Sequence, residues 1–324
     1  MTKIEKPVKI SETKLKMLLV LKNKEIISGE ELSKELFISR TAVWKNIKHL
    51  QKLGYRIDSI PGKGYRLTKS PAQIYPWELN LKHIEYSNAY YFEKINSTNN
   101  FATNLLPPAL VLAEEQDNGQ GRLNREWISK PGGIYCSIVL KPEINFAKLP
   151  VLSLVTAVAL TDILREQYDI KAEIKWPNDV MVNNKKLIGI LVEASGEMDE
   201  VDKVIIGIGV NANQSLNEFP ADLKNKITTI KNELSENVDR KVLTENLINN
   251  IITRIIDFKE NSAEALDAWR NYSCTLGKEV VVAGFKTGDV EGMAIDIDDS
   301  GALIVKKDNS EIKVTSGDVS LRLN

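Results

Sequence analysis

Residues 116–127 read Gln-Asp-Asn-Gly-Gln-Gly-Arg-Leu-Asn-Arg-Glu-Trp, a run suited to meeting an anion. Gly119 and Gly121 carry no Cβ, so the backbone there can approach a ligand closely. Arg122 and Arg125 add permanent positive charge that suits phosphate or carboxylate. Taken alone, the run reads equally well as a flexible surface loop. A second cluster is Lys175-Trp176-Pro177-Asn178-Asp179, with Lys186 opening the apolar run that follows it. Pro177 ends a strand or helix and leaves Asn178 and Asp179 on a turn. Lys186 places its ammonium at the entrance of a strand. Singly, these are a turn and a lysine whose stem packs while its head reaches water. No G-x-x-x-x-G-K-S/T occurs anywhere, which excludes a P-loop nucleotide site. Gly207-Ile208-Gly209 lacks the third glycine of a dinucleotide fingerprint, and Asn211 follows instead.

The elements that must position these residues follow from periodicity and turn chemistry. Residues 111–114, 134–140, 188–193 and 204–210 read as strands, and 149–167 and 243–258 as helices, which makes a mixed α/β region ending near Tyr272. Cys136 falls in the 134–140 strand and reads as core packing. After Thr275 the pattern changes to short strands at 280–282, 290–297, 302–307 and 311–314, with turn signals at Gly284, 299–301 and 308–310. Several short strands in so short a span read as a small β-barrel.

The N-terminal segment is built differently. Leu15, Leu18 and Leu19 supply the apolar stripe of a first helix. Ser28 and Glu31 have the spacing of a capping box that starts a second. Phe37 and Ile38 make a short turn, Ser39 caps a third helix, and Gly54 stops it. Residues 56–60 and 65–67 read as two strands around the turn Pro61-Gly62-Lys63-Gly64. Three helices and a hairpin make a winged helix-turn-helix. The fold class is therefore α+β. The expected boundaries are 1–70 for the winged helix, 71–89 for a linker marked by Pro71 and Pro76, 90–273 for the α/β domain and 274–324 for the barrel.

Net charge is −1 over 324 residues, but residues 1–70 hold 16 basic and 7 acidic side chains while the remainder is acidic. A basic segment ahead of an acidic body points to an anionic partner for that segment, nucleic acid first. In the third helix Val43, Ile47 and Leu50 share one face, and Arg40, Thr41, Trp44, Lys45 and Lys48 the other. A helix-turn-helix lays the N-terminal part of this helix at base edges in the major groove, where Arg and Lys can donate to guanine. Lys63 at the hairpin tip would meet backbone phosphate. One such domain reads one half-site, so a dimer is expected. The apolar stretch 149–164 is too short and too polar to span a bilayer and reads as a buried helix, so no membrane is expected. The N-terminus has no apolar signal-peptide core. Two cysteines in no paired spacing fit a reducing cytoplasm.

In order along the chain, Ser97-Thr98-Asn99, Gln116, the loop 119–127, KWPND at 175–179, KLIGILVE at 186–193, GIGVN at 207–211 and Ser320-Leu321-Arg322 resemble the biotin–protein ligases, specifically the bifunctional ligase-repressors of bacteria. Ser39-Arg40-Thr41-Ala42 and Pro61-Gly62-Lys63-Gly64-Tyr65 resemble that family's repressor domain. The resemblance spans nearly the whole chain. It implies a ligase domain of the biotin/lipoate type and a C-terminal SH3-like β-barrel. It also implies a reaction in which biotin and ATP give biotinyl-5′-AMP, and biotin then passes to a lysine of a biotin carboxyl carrier protein. The substrates and cofactors implied are biotin, ATP and Mg²⁺. The partners implied are the carrier protein, operator DNA and a second copy of the chain once the adenylate is bound.

Residue roles come with the resemblance. Ser97, Thr98, Asn99 and Gln116 match positions that hydrogen-bond the biotin head group. Gln120, Gly121 and Arg122 match the loop that closes over biotin and the adenylate. Lys186 matches the lysine near the biotin carboxylate and the α-phosphate, and so contributes to both binding and catalysis with Arg122 and Asp179. Asp179 would also meet the metal, directly or through water. Arg125, Lys175, Asn211 and Arg322 match the surroundings of the nucleotide, and Trp127 packs the base of the loop. The strand 188–193 is an expected edge for subunit pairing. Three departures stand out. Gln120 replaces the first arginine of the family loop, and Asn96 stands where an aspartate commonly precedes Ser-Thr. No tryptophan lies between Ser215 and Lys231 to cover adenine, which leaves Phe219. Two other readings compete. A lipoate or octanoate attachment enzyme would carry an Arg-x-x-Gly-Gly-Gly type of loop, which is absent, and both histidines, His49 and His83, lie outside 90–273. A non-catalytic ligand-sensing repressor would not need Lys186, Asp179 and Arg122 together.

Overall fold

The computed structural model describes residues 6–197, 200–258, 262–283 and 288–321. The chain divides into two compact units, Val8–Gln73 and, apart from the first seven residues, Ile74–Asn324.

The smaller unit is α1 (Glu12–Asn23), α2 (Gly29–Glu35), α3 (Arg40–Lys52), β1 (Arg56–Ile60) and β2 (Gly64–Lys69). Its caps are those the sequence called for. The Glu31 N–H donates to Ser28 Oγ while the Ser28 N–H donates to the Glu31 carboxylate, and Ser39 Oγ accepts from the Ala42 N–H. Phe37 turns the chain between α2 and α3 at φ +53°. The face of α1 differs from the expected stripe. Met17, Leu18 and Leu21 are buried, whereas Leu19 is half exposed, because a 3.6-residue period carries position 19 past the edge of the buried face. β1 and β2 form an antiparallel hairpin whose last pair is Ile60 with Gly64. Gly64 also bears against the Ile27 backbone, where a Cβ would come within 2.1 Å of the Ile27 carbonyl oxygen.

The larger unit contains β3 (Ala89–Phe92), α4 (Thr98–Ala102), β4 (Ala109–Ala113), β5 (Ile134–Leu140), α5 (Leu149–Tyr168), β6 (Glu173–Lys175), β7 (Asp179–Val182), β8 (Lys185–Glu197), β9 (Glu200–Val210), α6 (Ile230–Leu234), α7 (Arg240–Phe258) and α8 (Ser262–Tyr272). Its sheet has seven strands in the order β3-β4-β5-β9-β8-β7-β6. The β3–β4 pair is parallel and the rest are antiparallel. α5 is the core helix: its apolar residues are buried almost all round, as expected of the stretch 149–164. Asp162 ties it to both neighbouring helices, ion-paired to Arg254 of α7 at 2.8 Å and accepting a hydrogen bond from the Tyr272 hydroxyl at the end of α8 at 2.9 Å. Ile74, Tyr75 and Ile84, in the stretch read as a linker, are buried.

One expectation changes in the sheet. The strand 188–193 is not a free edge at its start: Ile188 and Gly189 pair with β7 on one side and β9 on the other. From Leu191 to Glu197, β8 keeps only its ladder to β9, because the four residues of β7 have run out.

The C-terminal residues add β10 (Glu279–Ala283), β11 (Val290–Ile297), β12 (Leu303–Lys307), β13 (Ser310–Val314) and β14 (Asp318–Leu321). These make an antiparallel five-stranded sheet in the order β13-β12-β11-β10-β14. Among the described residues no ladder joins β13 to β14, so the closure expected of a barrel is not among the pairings. The turn signal at Gly284 lies outside the described residues. The sheet is fastened to the α/β region at Trp176, whose N–H donates to Thr275 Oγ1 at 2.9 Å and whose indole donates to the Gly301 carbonyl at 3.0 Å. Burial pushes the Cys136 thiol up to about 12. It therefore holds its proton at neutral pH and behaves as core packing.

Candidate active site

The floor of the site is laid by glycines. Gly189 of β8 pairs with Gly209 of β9, and Leu191 with Gly207. Without side chains at 189 and 209, the sheet surface is open enough for the Trp127 indole to lie on it. A Cβ on Gly209 would stand 2.3 Å from Trp127 Nε1, and one on Gly189 2.7 Å from its ring. Gly207 makes the same room for Asn99, whose Oδ1 would be 2.2 Å from a Cβ there. Above this floor lies a cleft of about 210 Å³.

One end of the cleft is a neutral polar network. Ser97 caps α4 by accepting from the Asn100 N–H, and Ser97, Thr98 and Asn99 are all buried. Gln116 Oε1 accepts from the Thr98 N–H at 2.8 Å and lies 3.0 Å from Thr98 Oγ1, while its Nε2 donates to Ser129 Oγ at 2.8 Å. Ser137, fully buried on β5, bridges Thr98 Oγ1 and Asn99 Oδ1. Asn99 Nδ2 donates to Glu193 at 2.6 Å. Uncharged donors and acceptors in a desolvated wall suit a polar but neutral ring.

The other end is charged. Lys186 Nζ lies 2.6 Å from Asp179 Oδ1 and 5.2 Å from the centre of the Trp127 ring. Asp179 owes its place to the turn at Trp176-Pro177-Asn178 and to pairing opposite Gly189. Asn178 fastens that turn, donating to the Ile190 carbonyl at 2.7 Å and accepting from the Ile190 N–H. The loop 116–127 is folded back on itself rather than loose. Gln116 bridges to Ser129 and Gln120 to Glu126, and the Trp127 N–H donates to the Gly119 carbonyl. Gly119 is required, since a Cβ would meet the Trp127 carbonyl oxygen at 2.3 Å. At the tip, Leu123 has φ +56° and is 63% exposed. Asn211 Oδ1 and Trp127 Nε1 are buried in the cleft wall with no hydrogen-bond partner among the described residues. Buried polar atoms are rarely left so, and these two are candidates for a bound ligand.

Of the residues singled out in the sequence, Ser97, Thr98, Asn99, Gln116, Gln120, Gly121, Arg122, Arg125, Asp179, Lys186 and Asn211 line this one cleft. Lys175 does not. It ends the edge strand β6 and stays outside the lining. Arg322 lies outside the described residues. Phe219 is buried and, with Leu223 and Ile227, forms the apolar wall beside Asn211. Ser129, Ser137 and Glu193 were not foreseen as site residues. Nothing in a strand's apolar alternation marks Ser137. The glycines at 207 and 209 did carry a signal, because glycines two apart in a strand share a face and mark a close approach.

In the smaller unit, Thr41, Trp44, Lys45 and Lys48 are exposed on α3 opposite its buried Val43, Ile47 and Leu50, and Lys63 is exposed at the hairpin tip. Arg40 is exposed but ion-paired to Glu30 of α2 at 2.5 Å.

The chain is 36% identical to the bifunctional ligase/repressor BirA of Bacillus subtilis (strain 168) over 307 residues, which is 92% of this chain and 94% of that protein. The chain belongs to the bifunctional biotin ligase/repressor family. Its parts match accordingly: an HTH domain at 13–66, the Biotin/lipoate A/B protein ligase family at 84–211 and the Biotin protein ligase C terminal domain at 275–322. A biotin--[acetyl-CoA-carboxylase] ligase of Paracoccus denitrificans is 34% identical over 66% of this chain and 92% of its own length. Among solved structures, the biotin protein ligase of Aquifex aeolicus in complex with biotin and ATP superposes with a TM-score of 0.65 at 31% identity, covering 73% of this chain and 99% of that one.

Proposed function

We propose that this chain joins biotin to ATP as biotinyl-5′-AMP, passes biotin to a lysine of a biotin carboxyl carrier protein, and represses transcription through its winged helix. The observation that carries the ligase reading is the polarity of the cleft: a neutral hydrogen-bonding pocket at one end, a lysine and an aspartate at the other, and Trp127 between them. Biotin has matching ends, a neutral cyclic urea and a carboxylate.

A carboxylate does not acylate an amine in water near neutral pH, because oxide is a poor leaving group. In the first step a biotin carboxylate oxygen attacks the α-phosphorus of ATP. A new oxygen–phosphorus bond forms, the bond to the β-phosphate bridge breaks, and pyrophosphate leaves. Both partners are anions, so the barrier is largely their mutual repulsion. Lys186 and Arg122 offset it from fixed positions, which is more effective than water reorganising around the growing charge. In the second step the carrier amine attacks the mixed anhydride at carbon, AMP leaves, and Asp179 takes the amine proton. The folded loop over the cleft keeps water from the anhydride. Among the described residues no cluster of three acidic, histidine or cysteine side chains could hold a metal. The carboxylates lining the cleft are Asp179 and Glu126. That donor set suits a Mg²⁺ that arrives on the nucleotide's phosphates and needs one protein carboxylate. Asp179 is the residue that would hold it, and the ion would neutralise phosphate charge.

The test is mass spectrometry of the protein after incubation with biotin and Mg-ATP. Bound biotinyl-5′-AMP and released pyrophosphate are expected. Pyrophosphate released with lipoate but not with biotin would replace this reading by the lipoate one, and none with either would leave a sensor without catalysis.

For repression, the adenylate would hold the folded loop against the cleft and favour pairing of two copies, so that two half-sites are read. Two features support this: an apolar side chain, Leu123, exposed on the loop, and the stretch of β8 from Leu191 to Glu197 that has one ladder only. Leu123→Lys is expected to keep the sedimentation mass at one chain when biotin and ATP are added, while wild type doubles. At the DNA, Lys63→Ala is expected to weaken binding about equally for all sequences and to lower the salt slope by about 1. A loss confined to one operator sequence would place Lys63 at a base edge instead. A chain that serves both a carrier protein and an operator would work in the cytoplasm.

A further inference from the structure

We infer that Glu193 sets the hydrogen-bond polarity of the inner end of the cleft and, through Asn99, selects a ligand ring that presents N–H donors. This rests on the biotin reading above. Along β8, side chains two apart share a face, so Glu193 follows Gly189 and Leu191 on the side of the sheet that forms the cleft floor. Gly189 and Leu191 line the cleft, whereas Glu193 stands beyond it. Among the described residues its carboxylate meets the ligand region through Asn99, whose Nδ2 lies 2.6 Å from Glu193 Oε2.

An asparagine amide has two orientations of nearly equal shape and opposite polarity. A carboxylate accepts and cannot donate, so Glu193 forces Nδ2 toward itself. Asn99 Oδ1 then lies over Gly207, 2.5 Å from Ser137 Oγ. The other end of the network is fixed by the backbone, because the Thr98 N–H can only donate and holds Gln116 Oε1. Between these two anchors the wall presents acceptor lone pairs on Asn99 Oδ1 and Thr98 Oγ1. Ser97 Oγ, accepting from the Asn100 N–H, retains its hydroxyl hydrogen to give to a ligand carbonyl. A ring carbonyl flanked by N–H groups, as in a cyclic urea, satisfies both. Freed from Glu193, Asn99 can turn Nδ2 inward and set donor against donor.

Glu193 is exposed, so its replacement disturbs no packed core. The experiment is calorimetric titration of the full chain with biotin in the absence of ATP, together with adenylation kinetics at saturating biotin. Glu193→Ala is expected to weaken biotin binding about tenfold, with the KM for ATP and kcat unchanged. Glu193→Gln keeps an acceptor and is expected to stay within about threefold of wild type. Glu193→Lys offers only donors and is expected to lose about a hundredfold. Wild-type affinity in Glu193→Ala, equal losses in Glu193→Gln and Glu193→Ala, or a parallel loss of ATP binding would each overturn the inference. If wild type itself takes up no biotin, the reading of the site fails instead.

Discussion

Lys186→Gln is expected to slow biotinyl-5′-AMP formation about a thousandfold, comparable to or beyond removal of a single preorganised donor in other acyl-transfer sites. The size follows from position. Lys186 Nζ is 2.6 Å from Asp179 Oδ1 in a partly shielded site, with side chains 30% and 18% exposed. Removing the ammonium deletes a positive charge where two anions must meet, and also leaves the Asp179 carboxylate uncompensated beside them. The two losses are separable. Lys186→Gln with Asp179→Asn removes the stray negative charge, so biotin affinity should recover, while pyrophosphate release, which then lacks both the ammonium and the carboxylate that would hold the metal, stays slow. Single-turnover pyrophosphate release, with biotin affinity measured in parallel, checks both. A rate for Lys186→Gln within tenfold of wild type would remove Lys186 from the chemistry.

Gly209→Ala is expected to weaken binding of both biotin and ATP by about a hundredfold, although it adds one methyl group and no charge. A Cβ there would lie 2.3 Å from Trp127 Nε1 and 2.4 Å from a ring carbon. The indole has nowhere near to go. Gly189, paired with Gly209, supports the same ring, and Lys186 stands over it. The ring must lift, carrying with it the loop held by the Trp127 N–H to Gly119 carbonyl bond. Displacements of about 1 Å in such a frame cost roughly a hundredfold in rate, and a loss of the same order is expected in affinity where the displaced ring forms the binding surface. Titration calorimetry with each ligand reads the effect, and tryptophan fluorescence should shift to the red as the indole meets water. Unchanged affinity for both ligands would mean that Trp127 does not shape the cleft.

The sequence was most legible where an element is long or chemically marked. The strands at 134–140 and 290–297 and the start of the helix at 149 are found where apolar pattern and flanking turns put them. The Ser28 and Ser39 caps form as their spacing required. β3, β6, β7 and β14 escaped notice because three or four residues are too few to show a two-residue period. The face of α1 was misassigned by one position at Leu19, since three closely spaced leucines fit more than one stripe. Within the cleft, Arg122 is marked by the glycine before it, Asp179 by the turn after Pro177 and Lys186 by the apolar strand it opens, whereas Ser137 and Glu193 carry no local mark. Their importance comes from what lies across the sheet from them.

By itself the chain order determined which residues are available: a basic winged helix, a glycine-arginine loop, a lysine opening an apolar strand, and glycines at alternate positions of β9. These depend on local propensity and on one-dimensional spacing, which a single chain carries in full. Only the tertiary structure decided that the loop tryptophan lies on a cross-strand glycine pair, that Lys186 meets Asp179, that Lys175 stays outside the cleft and that β8 loses one neighbour beyond Gly189. Each of these is a distance between residues far apart in sequence, set by strand register. Register is fixed by which faces bury together, and no local segment contains that information.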